Sequence, residues 1–423
     1  MANFDQLGLC SELIFSLEQQ GYTRATAIQA EAIPAVLEGR DIIAQAQTGT
    51  GKTASFALPM IERLKPNDNT DYYPIRGLVL CPTRELAIQV AEKTLSYGEH
   101  LGMRVISIYG GVRFDNQLRK MKRGADILVA TPGRLLEMLL QKKISLSELQ
   151  MLVFDEADRM LDLGFIHDID KILSFAPKQR QTLLFSATYT QSVEHWAQRV
   201  LNNPQKISVA PSNSTAKNIQ QSAYKIDHGQ KQALLNELVQ QGDWRQTIIF
   251  TRTKRRADNV ANSLSEAGFD AKSIHGDKLQ KERSAILSAF SQGSLNLLVA
   301  TDVAARGLDI EALPRVVNFD IPNQPEAYVH RIGRTARAGK SGQAISFVAP
   351  DEREFLMLIE QLIAKRIQFH KLPPLFDGHK TQSNKSRTSG KKKKTANKPT
   401  YRAPALEQPQ KPALRRSLIQ KTK

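Results

Sequence analysis

Short apolar runs recur along the chain, and most end in a polar or small residue. In the first half they read DIIAQA, GLVLCPT, DILVATP, MLVFDEAD and TLLFSAT; in the second, TIIFTRT, LLVATD, VVNFD and AISFV. Segments of helical period separate them, such as residues 85–96 and 256–265. Strands alternating with helices predict an α/β fold built on parallel sheets covered on both faces.

The two halves resemble each other. LVLCPTRELAIQVA begins at Leu78 and IIFTRTKRRADNVA at Ile248, an offset of 170 that places Thr83 on Thr253, Val90 on Val260 and Ala91 on Ala261. LVAT recurs at the same offset, at Leu128 and Leu298. Two anchors at one offset favour a duplicated α/β domain over a chance likeness of two strand–helix units. The expected division is residues 1–209, a linker at 210–217 (APSNSTAK) whose Pro, Ser and Asn break any period, and residues 218–374. Residues 375–423 hold Ser, Lys, Thr and Pro with hardly any apolar residue, which predicts a disordered tail.

Composition adds a partner class. Of the 423 residues 41% are hydrophobic and 24% charged, a globular mix able to bury a sizeable core. The net charge of +17 points to a polyanion, nucleic acid before membrane. The stretch 377–423 carries fourteen Lys or Arg against Asp377 and Glu407, a net of +12, which leaves +5 for the other 376 residues. Such a tail, with four lysines at 391–394, binds polyanions by counterion release. Cys10 and Cys81 provide neither a disulfide framework nor a Cys-based zinc site, and they fit a reducing compartment. The start MANFDQLGLC lacks a basic stretch followed by an apolar run, and no segment approaches the roughly 18–20 apolar residues of a membrane span. A soluble, cytoplasmic protein is expected.

The phosphate chemistry is concentrated at Ala46-Gln47-Thr48-Gly49-Thr50-Gly51-Lys52-Thr53, after the apolar residues 41–44 and before a helical stretch. Its end is a P-loop ending: backbone N–H groups wrap phosphates, the lysine reaches the β- and γ-phosphates, and the threonine hydroxyl holds Mg²⁺. Ala46 stands where the general pattern has Gly. The spacing from Gly49 to Ala54 also fits a dinucleotide fingerprint. What favours the P-loop is Asp155-Glu156-Ala157-Asp158, directly after the apolar residues 151–154. There Asp155 is placed to hold Mg²⁺ opposite Thr53, partly through water, and Glu156 to deprotonate the attacking water. Helix capping is the alternative for an acidic run alone. The positions 170 beyond Gly51, Lys52 and Thr53 are Gln221, Ser222 and Ala223, so the second half has no P-loop.

His330-Arg331-Ile332-Gly333-Arg334-Thr335-Ala336-Arg337 concentrates three arginines, and Arg334 and Arg337 share a face if the segment is helical. A solvated basic face is the bland explanation. Arginines offered across a domain cleft also stabilise a transferring phosphoryl group, and such a site forms only on closure.

These segments together resemble the DEAD-box RNA helicases, from Phe4 to about Val348. AQTGTGKT, PTRELA, Gly110-Gly111, TPGR, DEAD, SAT, QKER, ATDVAARGLD and HRIGRTAR appear in the family's order. The compact core with a basic tail is similar to bacterial members of the RhlE type. The resemblance implies two RecA-like domains with ATP and Mg²⁺ as cofactors. It makes Gln29 the adenine reader, with aromatic packing from Phe4 or Tyr22, and sets Asp309 near the ribose. Ser186, Thr188, Asp158 and His330 would couple nucleotide to RNA. Thr83, Arg84, Gly111, Thr131 and Arg134 in the first domain, with Arg252, Gln280, Arg283 and Thr301 in the second, would hold the RNA backbone. Such contacts go to phosphate and 2′-hydroxyl, independent of sequence. Ala25 and Ala27 replace common prolines, and Ala336 a common glycine. The expected activity is ATP-dependent unwinding of short RNA duplexes or remodelling of RNA–protein complexes, with ribosomal RNA or pre-ribosomal particles as partners. A DNA translocase, a non-catalytic RNA clamp and a nicotinamide-dependent dehydrogenase are the competing functions.

Overall fold

The computed structural model describes residues 2–46, 50–66, 72–209, 219–242, 244–305, 313–336 and 341–374. The expected linker and tail lie outside them. Seven strands build a first sheet: β1 (Ile42–Gln45), β2 (Gly77–Leu80), β3 (Val105–Ile108), β4 (Ile127–Ala130), β5 (Met151–Phe154), β6 (Gln181–Ser186) and β7 (Gln205–Ser208). Seven more build a second: β8 (Ile219–Lys225), β9 (Thr247–Thr251), β10 (Ala271–Ile274), β11 (Leu297–Thr301), β12 (Arg315–Asn318), β13 (Gly342–Val348) and β14 (Gln368–His370). Every described pairing is parallel.

The orders are β3-β4-β2-β5-β6-β1-β7 and β10-β11-β9-β12-β13-β8-β14. Counted from the first strand of each sheet, these are the same order, so the duplication legible in the sequence is a duplication of topology: two tandem RecA-like domains. The offset of 170 fits β2 with β9 and β4 with β11, but β1 and β8 begin at Ile42 and Ile219. Connections of unequal length shift the remaining elements. The expected equivalents of the P-loop, Gln221 to Ala223, therefore sit inside β8 rather than after it. The helix after β8 opens at Lys231, as the helix after β1 opens at Lys52.

The strands read from apolar runs are the inner ones. β2, β4, β5, β6, β9 and β11 are buried at every position. Successive residues alternate between two cores: Val79, Val129 and Val153 on one face, Leu78, Leu128 and Leu152 on the other. This is the period of two that a doubly covered sheet demands. The strands without an apolar run are β3, β7, β10 and β14 at the sheet edges and β8 beside one. Each has exposed or partly exposed positions, β14 at all three of its residues, so continuous hydrophobicity does not mark them.

Local signals recur with the topology. Thr83 and Thr253 each cap the helix that follows, the hydroxyl accepting from the N–H three residues on at 3.3 and 3.2 Å.

Candidate active site and RNA-facing surface

The expected nucleotide residues gather beyond the carboxyl ends of β1, β5 and β6, where open parallel sheets bind ligands. Ala46 is buried, its N–H donating to the Ser186 carbonyl at 3.0 Å. Gly51 turns the chain into the helix Lys52–Arg63 with φ 92°, a conformation glycine adopts without strain. Lys52 is only 6% exposed, and its Nζ has no hydrogen-bond partner among the described residues. Thr50 and Thr53 border this turn. Gln47, Thr48 and Gly49 lie outside the described residues.

Gln29, expected to read adenine, ties its segment to this turn. Its Oε1 accepts from the Thr26 N–H at 2.8 Å and its Nε2 donates to the Gly51 carbonyl at 3.2 Å. The missing prolines have structural substitutes: the Gln29 side chain caps the Thr26 N–H, and the Ala25 N–H donates to the Ala2 carbonyl at 3.0 Å, a bond proline cannot make. Phe4 is buried in the core, whereas Tyr22 is 37% exposed and packs edge-on against Tyr97. Of the two expected aromatics, only Tyr22 presents surface.

Asp155 and Glu156 follow β5 directly. Asp155 is buried, and desolvation, reinforced by the Glu156 charge and opposed by Lys52, pushes its carboxyl up to about 6. Its Oδ1 and the Oε2 of Glu156 are buried without partners. Glu156 has φ 54°, which costs a non-glycine residue about 1–3 kcal/mol and fixes its side chain at the head of the helix Ala157–Asp162. A buried ammonium and two unsatisfied carboxylate oxygens beside a phosphate-type turn match the polar demand of a nucleotide with its metal.

The DEAD segment continues into the SAT segment. Asp158 Oδ2 accepts from Thr188 N–H and Oγ1, and Ser186 Oγ donates to the Thr188 carbonyl at 2.7 Å. His330, on the second domain's helix Pro325–Ile332, lies in the field of these groups. Desolvation lowers its imidazole, Asp158 pulls the other way, and Arg334, Lys52 and Arg159 push it down further.

The arginine cluster differs from the helical face read in the sequence. The helix ends at Ile332, so Arg334 stands past it, 5% exposed. Arg331 is structural: its Nε and Nη2 clamp Asp302 at 2.7 Å each, and Nη1 donates to the Asp320 carbonyl at 2.7 Å. Ala336, in place of the common glycine, has φ 55°. Arg337 and Asp309 lie outside the described residues.

Most residues expected to face RNA are at strand ends, but several side chains are committed to protein. Thr83 caps its helix with its hydroxyl and is buried, Thr131 is buried at a helix N-cap position without a side-chain cap bond, and Thr301 ends β11, also buried. Gly111 has φ 78°, and any Cβ there would collide with the Arg84 guanidinium, so those two segments pack together. Arg134 donates to Glu137, Gln117 and the Val112 carbonyl. Arg252 donates to Glu352 and the Ile321 carbonyl, both at 3.1 Å.

Gln280 and Arg283 are buried and turned to Glu85 of the first domain, at 3.2 and 2.8 Å, while Arg283 Nη1 donates to the His275 carbonyl. They join the domains. Glu85 stands inside PTRELA, yet nothing in the sequence points to a partner 198 residues away. Arg159 was equally silent. It is 5% exposed, its Nε and Nη2 have no acceptor, and the charges of Glu156, Asp302, Asp162 and Asp158 surround it.

Comparison with known proteins places this arrangement. Residues 26–196 match the family described as DEAD/DEAH box helicase, and residues 229–339 the helicase conserved C-terminal domain. A DEAD-box ATP-dependent RNA helicase CshA of Bacillus cereus is 45% identical over 89% of this chain and 71% of its own length. The CshA of Bacillus subtilis is 43% identical over 88% of this chain and 74% of its own. Among solved structures, S. cerevisiae Dbp5 bound to RNA and ADP BeF3 superposes with a TM-score of 0.79 at 31% identity, covering 89% of this chain and 97% of that one. Mss116p bound to ssRNA and AMP-PNP superposes with a TM-score of 0.80 at 27% identity, over 89% and 80% of the two chains.

Proposed function

The chain belongs to the DEAD-box ATP-dependent RNA helicases, and on that footing we propose how its own residues divide the work. It hydrolyses ATP and binds RNA. The single observation that carries the residue assignment is a set of buried polar atoms without a partner among the described residues: Lys52 Nζ, Asp155 Oδ1 and Glu156 Oε2. Burying such groups unpaired costs about 1–3 kcal/mol each, more when charged, and a bound phosphate chain with its metal removes that cost.

In this reading the backbone of residues 46–51 and the Lys52 ammonium receive the phosphates. Gln29 and Tyr22 receive the base, and Asp309 the ribose. Thr53 and Asp155 would hold Mg²⁺, partly through water. Mg²⁺ supplies charge neutralisation on the phosphates. Glu156 takes the proton of the attacking water. Arg334 and Arg337 come from the second domain and stabilise charge on the transferred phosphoryl, so turnover requires closure. Asp158, Thr188, Ser186 and His330 transmit the nucleotide state to the RNA surface. RNA lies over Thr83, Arg84, Gly111, Thr131 and Thr301, with Arg134 and Arg252 positioning these loops while offering peripheral charge. Gln280 and Arg283 act by joining the domains through Glu85.

Closure on RNA bends one strand and opens a short duplex locally, and phosphate release reopens the cleft. A role in ribosome assembly or RNA metabolism in the cytoplasm accords with this activity, and the basic tail would supply affinity for structured RNA. Among the described residues no helix is long and apolar enough to cross a membrane.

The test is ATP hydrolysis with single-stranded RNA, structured RNA, DNA or no nucleic acid, in the wild type and in Lys52→Ala. Stimulation by RNA alone, lost in the variant, is the expected result. Equal stimulation by DNA, or undiminished turnover in the variant, would overturn the assignment.

A further inference from the structure

A run of cations at the edge of the first sheet has no counterpart in the duplicate domain. Between positions 113 and 123 the chain carries Arg113, Arg119, Lys120, Lys122 and Arg123 against the single acid Asp115, and all five cations are exposed. The matching connection of the second domain, from its third strand to its fourth, carries Lys278, Lys281 and Arg283 against Asp277 and Glu282 near its start and no charge over residues 284–296, so nothing there matches Arg119 to Arg123. Both connections close on a left-handed glycine, Gly124 at φ 74° and Gly293 at φ 75°. The fold therefore demands the glycine and not the cations.

Two of the guanidinium groups at this edge, those of Arg104 and Arg123, are mounted, and the Lys120 backbone is held with them. Arg104 donates from Nε to the Gly124 carbonyl at 2.7 Å and from Nη2 to the Lys120 carbonyl at 2.8 Å. Its guanidinium and that of Arg123 stand 6.0 and 5.9 Å from the centre of the Tyr73 ring. Tyr73 is itself fixed: its N–H donates to the Arg123 carbonyl and its carbonyl accepts from the Ala125 N–H, each at 2.9 Å. A Cβ on Gly124 would collide with that carbonyl, which is why glycine stands there. A cavity of about 330 Å³ opens beside Tyr73, Arg104 and Arg123.

The stripe starts at the RNA surface. Arg134 holds the Val112 carbonyl and the Gln117 side chain, so the helix Phe114–Lys120 departs from the Gly111 loop. At about 1.5 Å per residue this helix carries the charge about 10 Å along the sheet edge, to Arg123 and Arg104.

We propose that this face is an accessory track for the RNA backbone, engaging the strand where it leaves the Gly111 end of the cleft. Its ligand is phosphodiester, without base readout, because cations held by backbone and ring contacts read charge and not base edges. Continuity with the Gly111 loop favours RNA over an acidic polypeptide. The proposal rests on the RNA surface assigned above and extends it.

The test uses the full chain and the triple variant Lys120→Ala, Lys122→Ala, Arg123→Ala. Affinity is measured for oligouridylates of increasing length over a range of salt, with the thermal unfolding midpoint as the control for folding. The shortest oligomers should bind both proteins alike, and the longest should bind the variant at least roughly tenfold more weakly at low salt. For the longest, the slope of log affinity against log salt should fall by about 2, at roughly 0.7 for each neutralised phosphate. Equal affinity and slope at every length would overturn the track, and so would an equal loss at every length. A wild type whose ATPase ignores RNA defeats the function itself; an RNA-stimulated wild type beside a variant that binds every length as the wild type does defeats only the track.

Discussion

The Asp158 carboxylate accepts two hydrogen bonds from Thr188, one from its N–H at 2.9 Å and one from its hydroxyl at 2.8 Å, both on the same oxygen. Its other oxygen accepts from the Arg159 N–H at 3.0 Å. The head of the DEAD helix is thereby tied to the loop after β6. Hydrogen bonds to a charged group are worth about 1.5–3 kcal/mol. Thr188→Val keeps the N–H and deletes the hydroxyl, so duplex unwinding should fall about tenfold or more while RNA-stimulated ATP hydrolysis changes little. A parallel fall of both in a coupled unwinding and phosphate-release assay would refute a coupling role.

Glu156 has a left-handed backbone and a buried carboxylate oxygen without a partner among the described residues. Glu156→Gln preserves shape and removes the base. Hydrolysis should slow by about 10²–10⁴, the usual worth of a positioned general base, with ATP-dependent RNA binding retained. Single-turnover kinetics decide, and near-normal turnover would remove Glu156 from the mechanism.

Glu85 and Arg283 form an interdomain ion pair at 2.7 Å, both almost buried. Breaking such a pair costs about 3–5 kcal/mol because it strands the surviving charge. If the pair is made on closure, Glu85→Ala should raise the RNA concentration for half-maximal ATPase at least roughly tenfold. Nucleotide affinity without RNA should be unchanged, and a change there instead would count against this reading.

Desolvation lowers the imidazole of His330 below its ordinary value of 6.5, with Arg334, Lys52 and Arg159 adding to that shift and Asp158 resisting it. A depressed histidine gives the folded, closed arrangement a contribution that is full above the unfolded value and lost as pH falls through the folded one. RNA-stimulated turnover should therefore decline as pH drops from about 7 toward 5, and His330→Gln should flatten that decline. Identical pH profiles for the two proteins would exclude His330 as the titrating group.

Lys231 opens the second domain's counterpart of the P-loop helix, yet it is fully buried. Its Nζ lies 2.6 Å from Glu352, 2.8 Å from the Phe319 carbonyl and 3.6 Å from Asp320. The lysine that could meet a phosphate is neutralised internally, which closes this copy to nucleotide. Lys231→Met should lower the unfolding midpoint by about 10 °C, since it strands the buried Glu352 and Asp320 carboxylates. A variant as stable as wild type would show that the pair does little.

The inner strands were legible because they are buried on both faces and must be apolar throughout. The edge strands β3, β7, β10 and β14 were not, because solvent on one side permits polar residues there. The placement of Gly51, Lys52 and the Asp155–Glu156 pair after strands was legible because each follows an apolar run.

What the sequence determined by itself was the duplicated α/β plan, the class of chemistry and the residues that local geometry obliges: glycine turns, helix caps and acids that follow apolar strands. These depend on neighbours a few positions away. The tertiary structure alone decided which charges are spent. It turned Gln280 and Arg283 onto Glu85, Arg331 onto Asp302 and Lys231 onto Glu352, and it left Lys52 unpaired. A charge settles on whichever partner burial brings near, and partners lying tens to nearly two hundred residues apart follow from the packing of the sheets and not from any spacing along the chain.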